Sequence, residues 1–477
     1  MVAAPVDGGV LRLALSSAWL LTSAFLVFFM QAGFALLEAG TVRPKNTKNI
    51  LLKNVIDACL ATLAWWALGA AFAGGTCADA GANAFIGTRG FFLADAGPAG
   101  LESETLATWL FGYAFCATAS TIVSGAVAER LQLRAYVIYT IATVMFIYPV
   151  VAHWVWSQTG WLSARRLQCG AGSGEPTALF APAAMGLLDF AGSGVVHMVG
   201  GAIGLVGAAV TGPRLGRFPE GAPRGVVARF ETASATQQVL GVLILWLGWF
   251  GFNSGSTGCM YGCMGAAALA AVNTTIAISA GSVTCLALAV LLGAPGDLSV
   301  LLNGILAGAV SITAGCALVE PYGAFVIGAV GGGVYTGAAA LLRRARVDDV
   351  VEAVPVHLFC GAWGLVSVGF FAVEADVAAV YGYANDWGVF YGGSGAQLGV
   401  QLLGAAVIFA WSAAWGLLVF GGLRLAGALR VSREDEIAGL DAAQGLGHGS
   451  FLGFLRARRG GKGGGGGGGG GDDGYAL

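Results

Sequence analysis

Two histidines stand inside long apolar runs, where an imidazole can carry protons. The chain has four histidines, and two of them, His197 and His357, lie in segments apolar enough to cross a bilayer. Ionisable side chains are costly at membrane depth, so those that occur there usually line a cavity or a pathway. Imidazole titrates near neutrality and can donate from one ring nitrogen while it accepts with the other. The two histidines therefore predict a functional cavity or pathway, unless both rings only bond neighbouring backbone in a packed bundle.

The same spacing of small residues, H-x-x-x-G-x-x-G, follows each of these histidines. The glycines are Gly201 and Gly204 in the first copy, and Gly361 and Gly364 in the second. Glycines three apart leave one face of a helix bare, so another helix can approach closely beside each histidine. Asp189 opens the first run, DFAGSGVVHMVGGAIG, and is either a helix N-cap or a functional acid.

The composition is that of a chain whose solvent is lipid. It is 57% hydrophobic and 10% charged, with a mean hydropathy of +0.76. About 20 apolar residues cross the hydrocarbon core, and runs of that length predict an all-α polytopic membrane protein with eleven transmembrane helices. The predicted spans are residues 14–38, 54–75, 105–128, 135–157, 192–211, 236–253, 265–291, 299–319, 322–342, 354–373 and 397–423. No pattern indicates nucleic acid binding, a metal centre, a nucleophile or a phosphate loop, so we do not expect an enzyme.

Charge predicts the orientation, because lysine and arginine accumulate on the cytoplasmic side. An outer N-terminus puts all of the 24 basic residues inside except Arg12, Arg89, Arg165 and Arg166. The histidine spans are the fifth and the tenth, which favours two five-helix halves and an eleventh helix. Because five is odd, the second half would be inverted, as in many transporters with a site near the midplane.

Four regions follow from these spans. They are an extracellular N-terminus (1–13), a membrane domain (14–423), a cytoplasmic regulatory segment (424–456) and a glycine-rich tail (457–477). Within the membrane domain, repeat one covers 14–211, repeat two covers 236–373 and the eleventh helix covers 397–423. The last region cannot bury apolar surface and is expected to be disordered. We expect the first helix to be retained rather than cleaved as a signal peptide. Cys77 and Cys169 could pair across two outer loops.

Residues 14–441 resemble the ammonium transporter family, the Amt/Mep/Rh superfamily, and specifically its plant and algal branch. The motifs that carry the resemblance are QAGFALLEAG, KNTKN, GAVAER, HWVWS, DFAGSGVVHMVGG, GWFGFNSGS, ITAGC, HLFCGAWG and EDEIAGLD. The resemblance implies eleven helices in an inverted repeat, a pore in each subunit and a homotrimer in a lipid membrane. Ammonium or ammonia would be the substrate, with methylammonium as an analogue, and no cofactor is implied. The default location is the plasma membrane, with an organelle envelope as the alternative.

The resemblance also implies roles for individual residues. The outer recruitment site would comprise Trp156, Phe115, Ser256, Phe111 and Tyr148, and the gate would comprise Phe115, Phe252 and Trp249. The pore and proton relay would comprise His197, His357 and Thr313, while Asp189 would support the site without touching substrate. The regulatory tail would use Arg430, Glu434, Asp435, Gly439 and Asp441, with a kinase or a signalling protein as partner. Gly112 stands where the family often has a glutamine.

The implied function is electrogenic uptake of ammonium for nitrogen acquisition. A bare cation pays a large desolvation penalty in an apolar pore, whereas ammonia does not, so the proton would be relayed separately by the histidines. One alternative is an electroneutral ammonia or gas channel of the Rh type, against which the outer tryptophan and serine argue. Another is an ammonium sensor, which usually carries an added signalling domain.

Overall fold

The described part of the chain is a bundle of membrane-length helices. The computed structural model describes residues 8–79, 81–94, 104–165, 186–293 and 297–445. Within these ranges the backbone is helical or irregular, apart from two isolated β-bridges. Nine of the described helices are long and apolar enough to cross a membrane, and a bent helix pair is a tenth candidate. The prediction of an all-α polytopic membrane protein is confirmed.

The helices are numbered in chain order. They are α1 (Gly8–Thr41), α2 (Pro44–Ala73), α3 (Thr105–Val127), α4 (Leu133–Trp156), α5 (Ser193–Thr211), α6 (Ala235–Gly255), α7 (Met264–Leu291), α8 (Leu298–Thr313), α9 (Pro321–Arg344), α10 (Pro355–Phe371), α11 (Glu374–Tyr381), α12 (Ala396–Leu425), α13 (Arg433–Ala438) and α14 (Leu440–Ala443). Helices α10 and α11 meet at 112°. Cys169 and residues 457–477 lie outside the described residues, as does most of the predicted N-terminal segment.

Two helix boundaries differ from the sequence prediction for physical reasons. α2 begins at Pro44, well before the predicted residue 54. Its first turns contain polar residues such as Asn49 and Lys53, which are buried and hydrogen-bonded inside the protein. Hydropathy therefore underestimates this helix. α8 ends at Thr313 rather than near 319, and the chain beyond it is held by the side chain of Asn273, which donates to the carbonyls of Cys316 and Val319.

Helices α1 and α6 pack along each other at unusually short range. A Cβ added at Gly33 would lie 3.0 Å from the carbonyl oxygen of Gly241, and one at Gly248 would lie 2.1 Å from Cγ of Met30. Small residues permit this approach, as is common between membrane helices. Since α1 and α6 would open the two predicted repeats, their contact joins the two halves of the chain.

Both histidines that the sequence singles out lie in π-helical turns at the start of their helices. The turn at the start of α5 covers Ser193–Met198, and that at the start of α10 covers Pro355–Phe359. Such turns are rare and occur frequently at functional sites. The sequence predicted the two histidines but not the π-helical turns that contain them.

Candidate functional site

A cavity of about 400 Å³ lies where the ends of α3, α4 and α6 meet, and we call it the vestibule. Four of the residues predicted for outer recruitment line it: Phe111, Phe115, Trp156 and Ser256. α3 carries the two phenylalanines one turn apart, with ring centroids 4.5 Å from each other. Trp156, the last residue of α4, meets Phe115 edge to face at 5.9 Å. The vestibule is therefore lined largely by aromatic rings, with the hydroxyl of Ser256 beside them.

Two polar side chains of the vestibule, Trp156 and Ser256, have atoms that can contact a small cation, and the charged residues Glu104 and Arg165 also line the cavity. The Nε1 of Trp156 donates to the carbonyl oxygen of Asp189 at 2.8 Å, so the indole offers a cation its π face. Cations within about 6 Å of an indole centroid gain about 0.5–2 kcal/mol. Ser256 donates to the carbonyl oxygen of Phe252 at 2.8 Å. Its oxygen keeps lone pairs that can accept a hydrogen from the cation.

Two stacked rings form the floor of the vestibule. The centroids of Phe115 and Phe252 lie 3.9 Å apart and their planes are inclined by only 17°. Both side chains are buried. A hydrated cation cannot pass this pair as it stands, and a bare one would lose its solvation there.

The histidine pair lies directly beneath the floor. The ring of His197 lies 5.4 Å from that of Phe252, centroid to centroid, and 5.2 Å from that of His357. The two Nδ1 atoms are 3.2 Å apart, within hydrogen-bonding distance. One ring therefore donates and the other accepts, which fixes opposite tautomers in the two neutral imidazoles. The Nε2 of His197 is buried and has no partner within the protein.

Asp189 fixes the start of the helix that carries His197. Its carboxylate accepts the backbone N–H groups of Gly192, Gly194 and Val195 at 3.1, 3.0 and 2.9 Å. Gly192 has φ of 104°, a left-handed conformation that favours glycine. The carboxylate thus satisfies N–H groups that a helix start leaves unpaired. Asp189 caps the start of α5 and does not line the vestibule.

The glycines after each histidine bring α5 and α10 into backbone contact. A Cβ at Gly201 would lie 2.4 Å from the backbone nitrogen of Leu358, and one at Gly361 would lie 2.6 Å from the carbonyl oxygen of Ser193. The expectation of a close helix approach beside both histidines is confirmed. Only this approach lets two side chains as short as imidazole meet from different helices.

Thr313 and Trp249 complete the surroundings of the pair. The indole of Trp249 stacks on His197 at 5.3 Å between centroids and donates to the hydroxyl of Thr313 at 3.0 Å. Thr313 in turn donates to the carbonyl oxygen of Ala309 at 2.7 Å. The hydroxyl thereby orients the indole, and the indole confines the imidazole ring.

Comparison with known proteins identifies the chain. The model of the Ammonium Transporter Family matches residues 18–449. The chain belongs to the ammonium transporter family. The transporter is 38% identical to "Ammonium transporter 3" of Dictyostelium discoideum, over 90% of this chain and 93% of that one. It is 42% identical to "Ammonium transporter 1 member 1" of Oryza sativa subsp. japonica, over 87% of this chain and 81% of that one. A solved structure named "Sensor Amt Protein" superposes with a TM-score of 0.77 at 31% identity, over 91% of this chain and 99% of that one.

The family fixes the broad function. The chain is a multi-pass membrane protein that transports ammonium, and it is not an enzyme. The resemblance drawn from the motifs is confirmed. Since most of the transporter aligns with its relatives, the fold and the function rest on nearly the whole membrane domain.

One residue of the transporter lies elsewhere than predicted. Tyr148 was expected to line the outer site, but it is buried, its ring packs 6.3 Å from that of Trp65, and it is not part of the vestibule lining. Trp249, which was predicted for the gate, lies beside His197, and its ring centroid is 6.0 Å from that of Phe252. The position of Gly112 has a physical reason: a Cβ there would lie 2.9 Å from the indole of Trp65, which occupies the space of a longer side chain.

Sequence reasoning missed several polar residues of the transporter core. Ser193 accepts the backbone N–H of Ala314 and donates to the carbonyl of Val310, which joins α5 to α8. Glu38 and Asp57 are buried acids of α1 and α2. The rule that drew attention to the histidines, that an ionisable group inside an apolar run marks function, would also have identified Glu38.

The C-terminal segment packs against the start of α2. The carboxylate of Asp441 accepts the backbone N–H groups of Lys48 and Asn49 at 3.1 and 2.7 Å. An anion at a helix N-terminus is stabilising. The backbone N–H of Leu440 donates to the side chain of Asn46, and a Cβ at Gly439 would lie 2.6 Å from that of Lys45. The side of the bundle on which this segment lies is called the tail side.

Other predicted tail residues differ in their contacts. Arg430 pairs with Glu436 at 2.8 Å and donates to the carbonyl of Pro213. Asp435 donates its backbone N–H to the hydroxyl of Ser432, a cap of α13, whereas Glu434 is exposed. Glu436 was not predicted, although its other oxygen accepts the backbone N–H of Leu215.

A buried ion cluster joins the loops of the tail side. Glu129 pairs with Arg43 and with Arg214, and Arg214 also pairs with Asp348 at 2.8 Å. Burial would raise the pKa of Asp348, but the hydrogen bonds and charge of Arg214 outweigh it and lower that pKa well below its usual range. Glu129 and Arg130 do not pair with each other, because Arg130 donates to four backbone carbonyls.

The two cysteines of the turn between α6 and α7 form a crosslink. Cys259 and Cys263 are joined by a disulfide, with Cα atoms 5.8 Å apart. Cys259 also lines the vestibule, so the crosslink braces the rim next to Ser256. The suggested Cys77–Cys169 pair cannot be followed, since Cys169 is outside the described ranges.

Proposed function

We propose that this protein takes up ammonium electrogenically, by separating the ion into ammonia and a proton at the histidine pair. The observation that carries the proposal is the pair itself. Two imidazoles hydrogen-bond at 3.2 Å between their Nδ1 atoms, directly beneath a stacked phenylalanine floor. A proton relay is the chemistry to which two facing neutral imidazoles are best suited.

The first step is recruitment and deprotonation in the vestibule. Ammonium binds against the face of Trp156 and donates a hydrogen to Ser256. Because the stacked rings of Phe115 and Phe252 exclude water, the ion cannot continue with its solvation shell. It gives up a proton, and ammonia, which is neutral, passes when the rings swing aside.

The second step is separate passage of the two species. The unpartnered Nε2 of His197 accepts the proton, while the hydrogen bonded between the Nδ1 atoms shifts toward the second ring. His357 then holds a proton that it can release on the tail side. The net movement is one positive charge per ammonium, driven by about 2.3 kcal/mol per 100 mV of membrane potential.

The finer architecture belongs to the same proposal. Nine apolar helices, the bent pair and the shorter α8 support eleven spans, with the N-terminus outside and the tail side in the cytoplasm. The α1–α6 and α5–α10 contacts support an inverted repeat of residues 14–211 and 236–373, followed by the eleventh helix. We propose that the protein is a homotrimer in the plasma membrane and that methylammonium is a second substrate. Residues 424–456 would form a cytoplasmic regulatory segment to which a kinase or signalling protein can bind.

The test is a two-electrode voltage clamp of oocytes that express the protein. Ammonium and methylammonium are applied at several external pH values and holding potentials. Inward current that saturates with the ammonium concentration and grows with negative voltage supports the proposal. Uptake of labelled methylammonium without current would support the electroneutral alternative of the Rh type, and ammonium binding with neither current nor uptake would support a sensor.

A further inference from the structure

A second cavity lies on the tail side of the histidine pair. Its volume is about 20 Å³, and its lining includes His357, Glu38, Thr121 and Asn303. A cavity of at least about 10–15 Å³ can hold a water molecule if polar groups surround it. The cavity therefore has room for a single water in contact with both the inner imidazole and a carboxyl group.

The atoms free to face this cavity can be deduced from the hydrogen bonds. Nδ1 of His357 bonds His197, which leaves Nε2 of His357. Glu38 accepts from Asn54 at 2.9 Å and from Ser124 at 2.8 Å, and both bonds fall on Oε2, which leaves Oε1. Nε2 is a proton donor when the ring is charged, and Oε1 is a proton acceptor.

The other polar groups of the lining are engaged elsewhere. The hydroxyl of Thr121 bonds Asp57 at 2.7 Å, and the amide of Asn303 donates to Tyr335 at 3.2 Å. Neither side chain ionises near neutral pH, so neither can hold the transferred proton. Glu38 is the one carboxyl group of the cavity lining.

Glu38 forms no salt bridge with the described residues around it. Its side chain is buried, and none of the salt bridges in the described residues includes it. Lys53 and Asp57 act on it only through space, and Lys53 is hydrogen-bonded to the carbonyl of Leu131 at 2.9 Å. An acid that is buried without a salt-bridge partner is costly in its charged form, which makes it a candidate functional group.

We propose that Glu38 is the proton acceptor that follows His357, through the water of this second cavity. The proposal rests on the electrogenic function proposed above. The N–H bond at Nε2 of the charged His357 breaks and the proton passes to the water, which at the same time gives another of its protons to Oε1 of Glu38. The products are a neutral imidazole, an unchanged water and a carboxylic acid. Glu38 later releases its proton on the tail side, where ammonia takes it up to become ammonium again.

A rival route leads through Asn303 to a different acid. Asn303 donates to Glu352 at 3.3 Å, and Glu352 pairs with Arg343 at 3.0 Å near the end of α9. Glu352 does not line the second cavity, and its ion pair is partly exposed. The two routes differ in which acid the current requires.

The experiment compares charge movement with substrate movement in the same cells. Oocytes that express Glu38→Gln, Ala353→Val, Ser124→Ala or Glu352→Gln are clamped while labelled methylammonium uptake is recorded. Glu38→Gln keeps the size and hydrogen-bonding capacity of the side chain but cannot accept a proton. Ala353→Val leaves Glu38 intact and fills the second cavity, whose lining includes Ala353. Ser124→Ala removes one hydrogen bond from Glu38 but keeps the acid.

We expect Glu38→Gln and Ala353→Val to lower the current about a hundredfold, the lower end of what a positioned general acid or base contributes. Uptake of the neutral amine should fall much less, so the charge carried per molecule drops. Ser124→Ala and Glu352→Gln should keep the wild-type charge per molecule, and Glu38→Asp should restore part of the current.

The inference would be overturned if both Glu38→Gln and Ala353→Val carried the wild-type charge per molecule of methylammonium. It would also be overturned if only Glu352→Gln carried less charge per molecule. If the wild-type protein carries no current, the proposed function fails instead, so the two failures are distinguishable. If Glu38→Gln does not reach the cell surface, Ala353→Val decides.

Discussion

Trp156 and Asp189 are joined by a hydrogen bond of 2.8 Å, from the indole Nε1 to the backbone carbonyl oxygen. The carboxylate of the same aspartate caps α5, which carries His197. One residue therefore contacts the indole that lines the vestibule and caps the helix that carries His197. In the proposed mechanism this residue would connect recruitment with deprotonation, although Asp189 is not part of the vestibule lining.

Replacing Asp189 should abolish transport without removing any substrate contact. In Asp189→Ala, three backbone N–H groups lose their acceptor and the start of α5 is no longer fixed. Each buried donor left unsatisfied costs about 1–3 kcal/mol, so the position of His197 is lost. Ammonium-evoked current should disappear while surface abundance, measured by biotinylation, stays detectable. Asp189→Glu is the matched control, and wild-type current in Asp189→Ala would contradict the role.

Replacing Trp156 should weaken recruitment more than turnover. Trp156→Leu removes the π face but leaves an apolar side chain, so the half-saturating ammonium concentration should rise about 2- to 30-fold for a loss of about 0.5–2 kcal/mol. The maximal current should change less. Trp66→Leu is the control, because Trp66 is 41% exposed on the outside of the bundle. An unchanged half-saturating concentration in Trp156→Leu would exclude the cation–π contact.

Adding one methyl group at Gly201 should separate the histidine helices. The new Cβ would lie 2.4 Å from the backbone nitrogen of Leu358, which cannot move like a side chain. Overpacking of this kind costs about 1–3 kcal/mol, so Gly201→Ala should lower the melting temperature of the detergent-solubilised protein and reduce current. Gly333→Ala is the control, because a Cβ there meets nothing within 4 Å. Equal melting temperatures for the two variants would show that α5 and α10 are not in backbone contact.

The ion pair of Asp348 and Arg214 should make stability depend on pH in a defined direction. The pKa of Asp348 is lowered in the folded protein, mainly because the interactions with Arg214 outweigh its burial. Such an acid contributes stability above its unfolded pKa of about 3.9, and this contribution is lost as the pH falls toward the lower folded value. Breaking a buried pair costs about 3–5 kcal/mol.

Asp348→Asn should therefore melt well below wild type at pH 7. The difference should shrink as the pH falls below about 4, where the unfolded carboxyl is protonated while the folded one is still ionised. Thermal unfolding of purified protein across this range measures the difference. A deficit that stays constant with pH would mean that packing, and not charge, accounts for the loss.

Much of the fold could be predicted because hydropathy and helix length are set by the same bilayer. Predicted spans such as 105–128 and 265–291 match α3 and α7 within a residue. α2 was predicted too short, because Asn49 and Lys53 are satisfied by long-range partners that no local pattern reveals. The predicted span 299–319 was too long, because the chain stays apolar after α8 ends at Thr313. There the carbonyl oxygens of Cys316 and Val319 accept from the side chain of Asn273.

The sequence predicted which residues form the candidate site more fully than it predicted their geometry. His197, His357, Phe115 and Phe252 were chosen from the sequence, and the structure brings their rings together. The π-helical turns that contain both histidines were not predicted, because the apolar periodicity that predicts a helix does not distinguish an α-helical turn from a π-helical turn. Tyr148 was misjudged for a different reason, since its direction is set by Trp65 on α2.

The most direct test of the account is the ammonium-evoked current of His197→Ala, measured by voltage clamp at a surface abundance equal to that of wild type. His197 offers the only ring nitrogen of the pair that is buried and unpartnered in the described structure, and it lies directly beneath Phe252. The account predicts no current above that of uninjected cells at any external pH. A current equal to wild type would mean that the charge crosses without the pair, and the proposed separation of proton and ammonia would be wrong.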